Sequence, residues 1–443
     1  MTTYSAGETR PLLSSTLPNQ RPRLFYSVVA VFFLINAGVA TAVPPTTSAL
    51  KDALCARYRV HHPHRDCNEG QIQEELSVVK GLASFLLLLP GVLLGVPFGA
   101  LAQHWGPKKV LLCSVAGIFM AESWFDFVCW NAQQWPIELV YLSSLFYLVG
   151  GGPSIGGSLL FVLVANGTPH HQRASRFFVL EAAGYTGSVL GSMASAAVMD
   201  KRLWTPVLAG LWLITVAFFL IFSLPDELPA ELPTEQASGP WPQKPTGMRS
   251  LFAHLPHQTH LLGLLVGYLL RSLAVSVMKL LIIYAPHQFH MSFSQSGYLV
   301  SLDSAIHLAV LLILPTVGHS RAAQDATEPT FARTSVLLSA SGCAAMACAP
   351  SPTLFAVGIA CYGLGGGYNQ LIRARLTTAT PVEDRSVAYS LLGIMETLGT
   401  LLGAPLWPLV YRTGLRLAGP WSTLPFVAAA AIFVVVYITL FFF

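Results

Sequence analysis

Arg271, Glu396, Glu181, Asp303 and His307 stand inside long apolar runs, where inserting a charged side chain costs about 2.5–3.5 kcal/mol. A residue kept at that cost needs a partner or a water-filled cavity, and each suggests a chemistry. Arg271 is suited to hold an anionic group, or else to pair with a neighbouring Glu in helix packing. A buried carboxyl can change ionisation as its surroundings open and close, which makes Glu396 and Glu181 candidates to carry a proton. Glu181 is also explained by an ion pair with Arg176 or Arg173. Asp303 and His307 are four apart and share a helix face, and imidazole titrates near neutral pH. With Lys279 they compose either a proton relay or, through a Lys279–Asp303 ion pair, a brace between helices. Glu122 and Asp126, near the end of another apolar run, read as interfacial and solvated.

The elements that must position these groups follow from composition. Of 443 residues, 53% are hydrophobic and 10% charged, against about 25% charged in an average soluble domain. Apolar windows recur at 24–44, 78–98, 109–129, 137–164, 175–198, 203–224, 259–285, 295–316, 333–349, 352–374, 387–411 and 420–443. Each is long enough for a bilayer-crossing helix of about 20 residues. Their uniform apolarity excludes barrel strands, so the fold class is an all-α membrane protein with twelve transmembrane helices. The first run, Leu24 to Val43 after Arg21 and Arg23, exceeds a 7–15-residue signal core and reads as an uncleaved span.

Two polar stretches interrupt the rhythm, 45–77 and 225–258, the second broken by Pro225, Pro229, Pro233, Pro240, Pro242 and Pro245. The expected organisation is a disordered cytoplasmic tail at 1–23, a first six-helix half at 24–224, a cytoplasmic linker at 225–258 and a second half at 259–443. Lys and Arg are denser on the side holding Arg21, Arg23, Lys108, Lys109, Arg173 and Arg176 than on the side holding Lys51, Arg57, Arg59 and Arg65, which places both termini in the cytoplasm. An internal repeat supports two halves. Thr168-Pro169 and Arg173 return as Thr380-Pro381 and Arg385, and Gly187 and Gly191 return as Gly399 and Gly403, all at an offset of 212 residues. The triple glycine Gly150-Gly151-Gly152 returns as Gly365-Gly366-Gly367.

The turn between spans 2 and 3 reads Gly99-Ala100-Leu101-Ala102-Gln103-His104-Trp105-Gly106-Pro107-Lys108-Lys109. Gly99 and Gly106 permit close helix approach and a tight turn, and Lys108 and Lys109 hold it to the cytoplasmic side. This loop resembles the cytoplasmic signature of the major facilitator superfamily, and with the twelve spans, linker and repeat the resemblance covers essentially the whole chain. It implies two pseudo-symmetric six-helix bundles. The family's acidic latch position is Gln103 here, which can hydrogen-bond but not ion-pair. Within the family, Gly150-Gly151-Gly152, Asn166, Arg173, Phe177 and Phe178 are similar to fungal members near the drug:proton antiporters and the proton-coupled folate transporters. The antiporter motif Gly-Pro-x-x-Gly-Gly is degenerate in span 5, Gly187 to Ser192, and occurs literally only in span 4, Gly152 to Gly157.

The resemblance implies that spans 1, 4, 7 and 10 line a central cavity. Arg271, about 12 residues and roughly 17 Å into span 7, then becomes the candidate for an anionic substrate group, with Asn36, Tyr368, Asn369 and Gln370 as further cavity candidates. Glu396, Glu181, Asp303 and His307 are the proton-coupling candidates. The expected function is proton-coupled efflux of a small hydrophobic or amphiphilic organic compound by alternating access. Proton-coupled uptake of an organic anion is the alternative, and a substrate-sensing receptor on the same fold a third. No nucleophile, base and metal cluster marks an enzyme, and Gly-x-x-x-x-Gly-Lys-Ser/Thr is absent, so no cofactor is expected and the proton gradient is the driving force.

The remaining expectations concern surroundings. Substrate, protons and the lipid bilayer are the partners, nucleic acid is excluded because no long basic run occurs, and the chain acts as a monomer. Cys55 and Cys67 form a disulfide on the oxidising side. His61-His62-Pro63-His64 lacks a second ligand pair, so no metal is expected. Asn166-Gly167-Thr168 falls on the cytoplasmic side and carries no glycan. Glu8 to Leu13 resembles an acidic dileucine sorting signal, but the plasma membrane is preferred to a vacuolar or endosomal membrane.

Overall fold

The structure is a computed structural model that describes residues 20–61, 70–132, 134–168, 173–224, 259–317, 321–369, 372, 385–417 and 419–440. The segment at 225–258 and the candidate Gln370 lie outside them. The described residues form twelve helical segments. These are α1 Gln20–His61, α2 Gly70–Trp105, α3 Pro107–Trp130, α4 Gly152–Asn166 (preceded by short turns from Ile137), α5 Arg173–Met199 and α6 Trp204–Phe222. In the second half, α7 runs through Thr259–Val275, a 3-10 turn and Leu281–Phe289, followed by α8 Phe293–Val317, α9 Arg321–Ala347, α10 Pro352–Leu364, α11 Arg385–Leu417 and α12 Leu424–Thr439. The all-α, twelve-span membrane fold expected from hydropathy is thus present.

One departure lies at the end of the bundle where α1 hands over to α2, here the α1–α2 end. The stretch 45–77 is largely helical: α1 runs on through Pro44 and Pro45 to His61, and α2 starts at Gly70. Thr46 and Thr47 return their hydroxyls to the carbonyls of Ala42 and Val43, one turn back. Ala49, Leu50, Ala53 and Leu54 recur at helical spacing and pack with Ile72, Leu76 and Val79 of α2. An amphipathic helix averages to polar in a hydropathy window, because its period and not its mean carries the signal.

The repeated glycines perform the same task in both halves. A Cβ on Gly187 would lie 2.5 Å from the Phe33 carbonyl oxygen, and one on Gly191 would strike that of Ala37, so α5 lies directly on the α1 backbone. In the second half a Cβ on Gly399 would lie 2.6 Å from the Leu269 carbonyl oxygen, and one on Gly403 would strike Ser276, so α11 lies on α7. Gly150 abuts Ser114 of α3, and Gly365 abuts Ser335 and Ser339 of α9. Small residues at helix interfaces let backbones approach where lipid supplies no hydrophobic drive. At the α2–α3 turn Gly106 has φ +86°, and Lys108 is buried, donating to the carbonyls of Phe222 (3.0 Å) and Leu224 at the end of α6. That capping of α6 is more than a surface anchor. Gly99 is buried and Lys109 exposed, while the side chain of Gln103 lies outside the described residues.

The halves join along two symmetry-related pairs, α2 with α11 and α5 with α8. At the α1–α2 end, Gly81 of α2 sits against Ala404 and Pro408 of α11, and Gly297 of α8 against Pro44 and Ala196. Ser192 and Ser301 share a hydrogen bond of 2.7 Å, and Ser294 donates to the Ala196 carbonyl at 2.6 Å. Glu74 of α2 pairs with Arg412 and, at 2.7 Å, with Arg416 of α11. One apolar core cluster lies within the first half, whereas the other fills the second half and runs on into Leu50, Leu54, Ile72 and Leu76. This end of the bundle is therefore closed.

Candidate functional site

Midway along α7 and just past α10, after the Gly365–Gly367 turn, the sequence candidates converge. Arg271 is buried, its Nη1 donates to Asn369 Oδ1 at 2.6 Å, and its guanidinium lies 4.8 Å from the centre of the Tyr368 ring. Among the described residues no carboxylate stands within ion-pair distance, and Nε has no hydrogen-bond partner. Of the two readings for Arg271, a packing pair with a Glu is not what is built. A buried cation satisfied by a neutral amide and a ring face keeps its charge available to an incoming anion.

Tyr368 connects this arginine to the candidate proton carrier. Its ring stacks on Tyr268 of α7, with 6.3 Å between centroids, and the Tyr268 hydroxyl donates to Glu396 Oε2 at 3.2 Å. Ser272, beside Arg271, donates to the backbone carbonyl of Glu396 at 2.6 Å and shares a hydrogen bond with Thr400. The closeness of α11 to α7, set by Gly399 and Gly403, brings Glu396 into this reach.

A second line crosses between the halves. His307 Nδ1 lies 3.4 Å from Asp303 Oδ1 and 3.0 Å from its carbonyl oxygen. Its ring stacks on Tyr185 of α5 at 5.7 Å and 13°, and meets Tyr362 at 5.9 Å. Gly363 and Gly366 make the room, since a Cβ at Gly366 would lie 2.6 Å from the imidazole. The Tyr185 hydroxyl is within electrostatic reach of Glu181, Asp303, Arg271 and Glu396 together.

Three other candidates are placed differently. Lys279 is exposed in the 3-10 turn of α7 and makes no ion pair with Asp303, so neither the brace nor a three-membered relay forms. Asn36 spends its amide on its own helix, donating to the Phe32 carbonyl at 2.8 Å. Arg176, one of the two partners offered for Glu181, lies over the Phe25 ring at 4.5 Å, and the side chain of the other, Arg173, lies outside the described residues. Glu122 and Asp126 are not solvated: Asp126 is buried and Glu122 partly so, because α2, the short turns that run from Ile137 ahead of α4, and the extended α1 pack at that end of α3. Cys55 is in disulfide linkage, while Cys67, His62 and His64 lie outside the described residues. Among the described residues no three His, Cys, Asp or Glu side chains are placed to hold a metal.

Sequence reasoning passed over Tyr185, Tyr268, Tyr362, Ser272 and Thr400. A signal existed for two of them. Tyr185 is four residues beyond Glu181 and Tyr268 three before Arg271, each on the face of the charge it serves.

The comparisons agree with this architecture. The chain is 26% identical over 424 residues to the MFS efflux pump atnC of Emericella nidulans, covering 90% of this chain and 83% of that one. It is 23% identical over 432 residues to the efflux pump ustT of Aspergillus flavus, covering 89% and 84%. Among solved structures, the human organic anion transporter MFSD10 superposes with a TM-score of 0.65 at 17% identity, covering 95% of this chain and 99% of that one. A D-xylose–proton symporter superposes with a TM-score of 0.67 at 14% identity, covering 94% and 96%. The family model for the Major Facilitator Superfamily matches residues 25–323 and 264–443. With that match over nearly its whole length, this multi-pass membrane protein is a transporter of the Major Facilitator Superfamily and not an enzyme.

Proposed function

We propose that the chain is a proton-coupled secondary transporter that exports a small hydrophobic or amphiphilic organic compound by alternating access, as a monomer in the plasma membrane. The α1–α2 end faces away from the cytoplasm in this reading, and no cofactor is needed beyond the proton gradient. Two relatives carry the word efflux in their names. The observation that carries the reading is the line Glu396, Tyr268, Tyr368, Arg271, in which a half-buried carboxyl is joined through two stacked tyrosines to a buried cation. Adding a proton at Glu396 changes the field at the cation that meets cargo, which couples the two occupancies. Aromatic and apolar walls suit an amphiphile, and Arg271 suits a negatively charged or carbonyl-bearing end.

The uptake of an organic anion is a second reading, favoured by the lone Arg271 and by the likeness to an organic anion transporter. Accumulation of labelled lipophilic and anionic compounds in a host lacking its major exporters separates the two. Export gives lower accumulation that an uncoupler and Glu396→Gln both abolish. Uptake gives higher accumulation of anions that Arg271→Ala abolishes.

A further inference from the structure

Outside the Arg271 site, another group of ionisable side chains lies buried or half-buried in the first half. Lys80 of α2 donates its ammonium to the Thr47 hydroxyl of α1. Glu122 of α3 is within electrostatic reach of Lys80, and Asp126, one turn further on, is within reach of Glu122. Asp126 is 5% exposed, and neither carboxyl oxygen has a hydrogen-bond partner. Cys129 of α3 is within electrostatic reach of Asp126 and Tyr147, ahead of α4, within reach of Glu122, and both are ordinarily neutral at physiological pH. From α11, Ala404 and Pro408 meet Gly81 beside Lys80.

Charge counting gives this cluster a specific capacity. One ammonium and two carboxylates, all ionised, leave a net negative charge in apolar surroundings, a state that low dielectric strongly opposes. A single bound proton cancels it. The position is also specific. Lys80 precedes Gly81, which lies against α11, and Thr47 follows closely on Pro44, which meets Gly297 of α8. The Lys80–Thr47 hydrogen bond therefore ties α1 to α2 where both press on the second half.

We propose that Lys80, Glu122 and Asp126 form a binding site for one proton in the first half, and that its occupancy sets closure of the α1–α2 end. With the proton bound the cluster is neutral and can be buried, as in this closed structure. Without it the residual charge draws water in and the end opens. The site rests on the proton-driven reading above and supplies that cycle with a proton-binding step separate from Glu396.

The test uses the full chain reconstituted in lipid nanodiscs, with spin labels on non-canonical amino acids at Gln71 of α2 and Thr413 of α11, and pulsed EPR distances at acidic and mildly alkaline pH. Wild type is expected to populate the short distance in acid and to gain a long one on alkalinisation. Asp126→Asn and Glu122→Gln each leave one ammonium and one carboxylate in the cluster, neutral in sum with no further proton to bind, so each loses the pH response and stays closed. Lys80→Met keeps two carboxyls and keeps a pH response, which guards against reading a packing defect as lost titration. A pH-insensitive wild type overturns the proposal, as does a response that survives both carboxyl variants and vanishes in Glu396→Gln, or one that follows sodium and not the proton. Uncoupler-insensitive transport by wild type would instead mark failure of the proton-driven reading itself.

Discussion

Tyr185 of α5 stacks on His307 of α8 at 5.7 Å and 13°, joining the two halves at the depth where the buried charges converge. A contact of this kind must be remade or broken whenever the halves rock. Replacing Tyr185 by Ala removes a stack worth about 0.5–1.5 kcal/mol beyond area burial, and initial transport rates are expected to fall several-fold. Tyr185→Phe keeps the stack and is expected to keep most of the rate. A Phe variant as slow as the Ala variant would assign the role to the hydroxyl and not to the ring.

Arg271 offers a sharper discrimination, since its partner Asn369 is neutral. Hydrogen bonds to charged groups contribute about 1.5–3 kcal/mol, so Arg271→Ala is expected to raise KM for an anionic cargo by roughly ten- to a hundredfold. Arg271→Lys keeps charge but not the planar fork or the stacking on Tyr368, and should fall between the two. Neutral lipophilic cargo should respond weakly to either. Radiolabelled uptake into proteoliposomes with paired anionic and neutral cargo measures this, and equal losses for both would remove cargo contact from Arg271.

Glu396 and Tyr268 form a pair that can be separated genetically. Glu396→Gln is expected to abolish uncoupler-sensitive transport while leaving cargo exchange down its own gradient intact. Tyr268→Phe deletes one hydrogen bond, about 1 kcal/mol, and should alter the pH profile without abolishing coupling. Counterflow assays beside gradient-driven assays distinguish these outcomes. Loss of both activities in Glu396→Gln would give that residue a structural role.

Much of this architecture was legible before any coordinates. Long apolar runs in a chain with few charges force helices, and the Gly187/Gly191 and Gly399/Gly403 repeat marks the same backbone approach in each half because nothing larger fits there. The charges of the site were legible for the same reason: an Arg or Glu in a span is costly and so conspicuous. Tyr185, Tyr268 and Tyr362 were not, because aromatic residues are common in membrane spans and only packing decides which rings face a charge. Burial of Asp126 was missed because depth was judged from its place near the end of an apolar run. The extension of α1 that helps to enclose that end was hidden by averaging over its polar face.

The glycine repeat itself makes a prediction with an internal control. Gly191→Ala would drive a methyl into the Ala37 carbonyl, and Gly403→Ala one into Ser276. Overpacking of this sort typically costs about 1–3 kcal/mol, so both should lower the detergent-solubilised Tm. Gly157 of α4 and Gly393 of α11 have nothing within 4 Å of where a Cβ would stand. Alanine there gains helix propensity, and Tm should hold or rise slightly. Similar losses at all four positions would mean that the glycines serve helix flexibility and not close approach.

At the closed end, Glu74 receives both Arg412 and Arg416 across the boundary between the halves. Glu74 is largely shielded, with 17% of its side chain exposed, whereas Arg412 is 37% and Arg416 60% exposed. A single exposed ion pair contributes about 0.2–1 kcal/mol, but two arginines on one shielded carboxylate form a small network. Glu74→Gln is therefore expected to shift the closed-to-open ratio several-fold toward open, Arg412→Ala less, and Arg416→Ala least, since the more exposed charge is the better screened. Salt should mimic the substitutions, because screening lengths shrink to about 3 Å at 1 M. EPR distances between Gln71 and Thr413 report the ratio directly. If Glu74→Gln leaves that ratio unchanged at low salt, closure rests on the Gly81–Pro408 and Ser192–Ser301 contacts alone, and the ion pairs merely decorate a seam that packing has already shut.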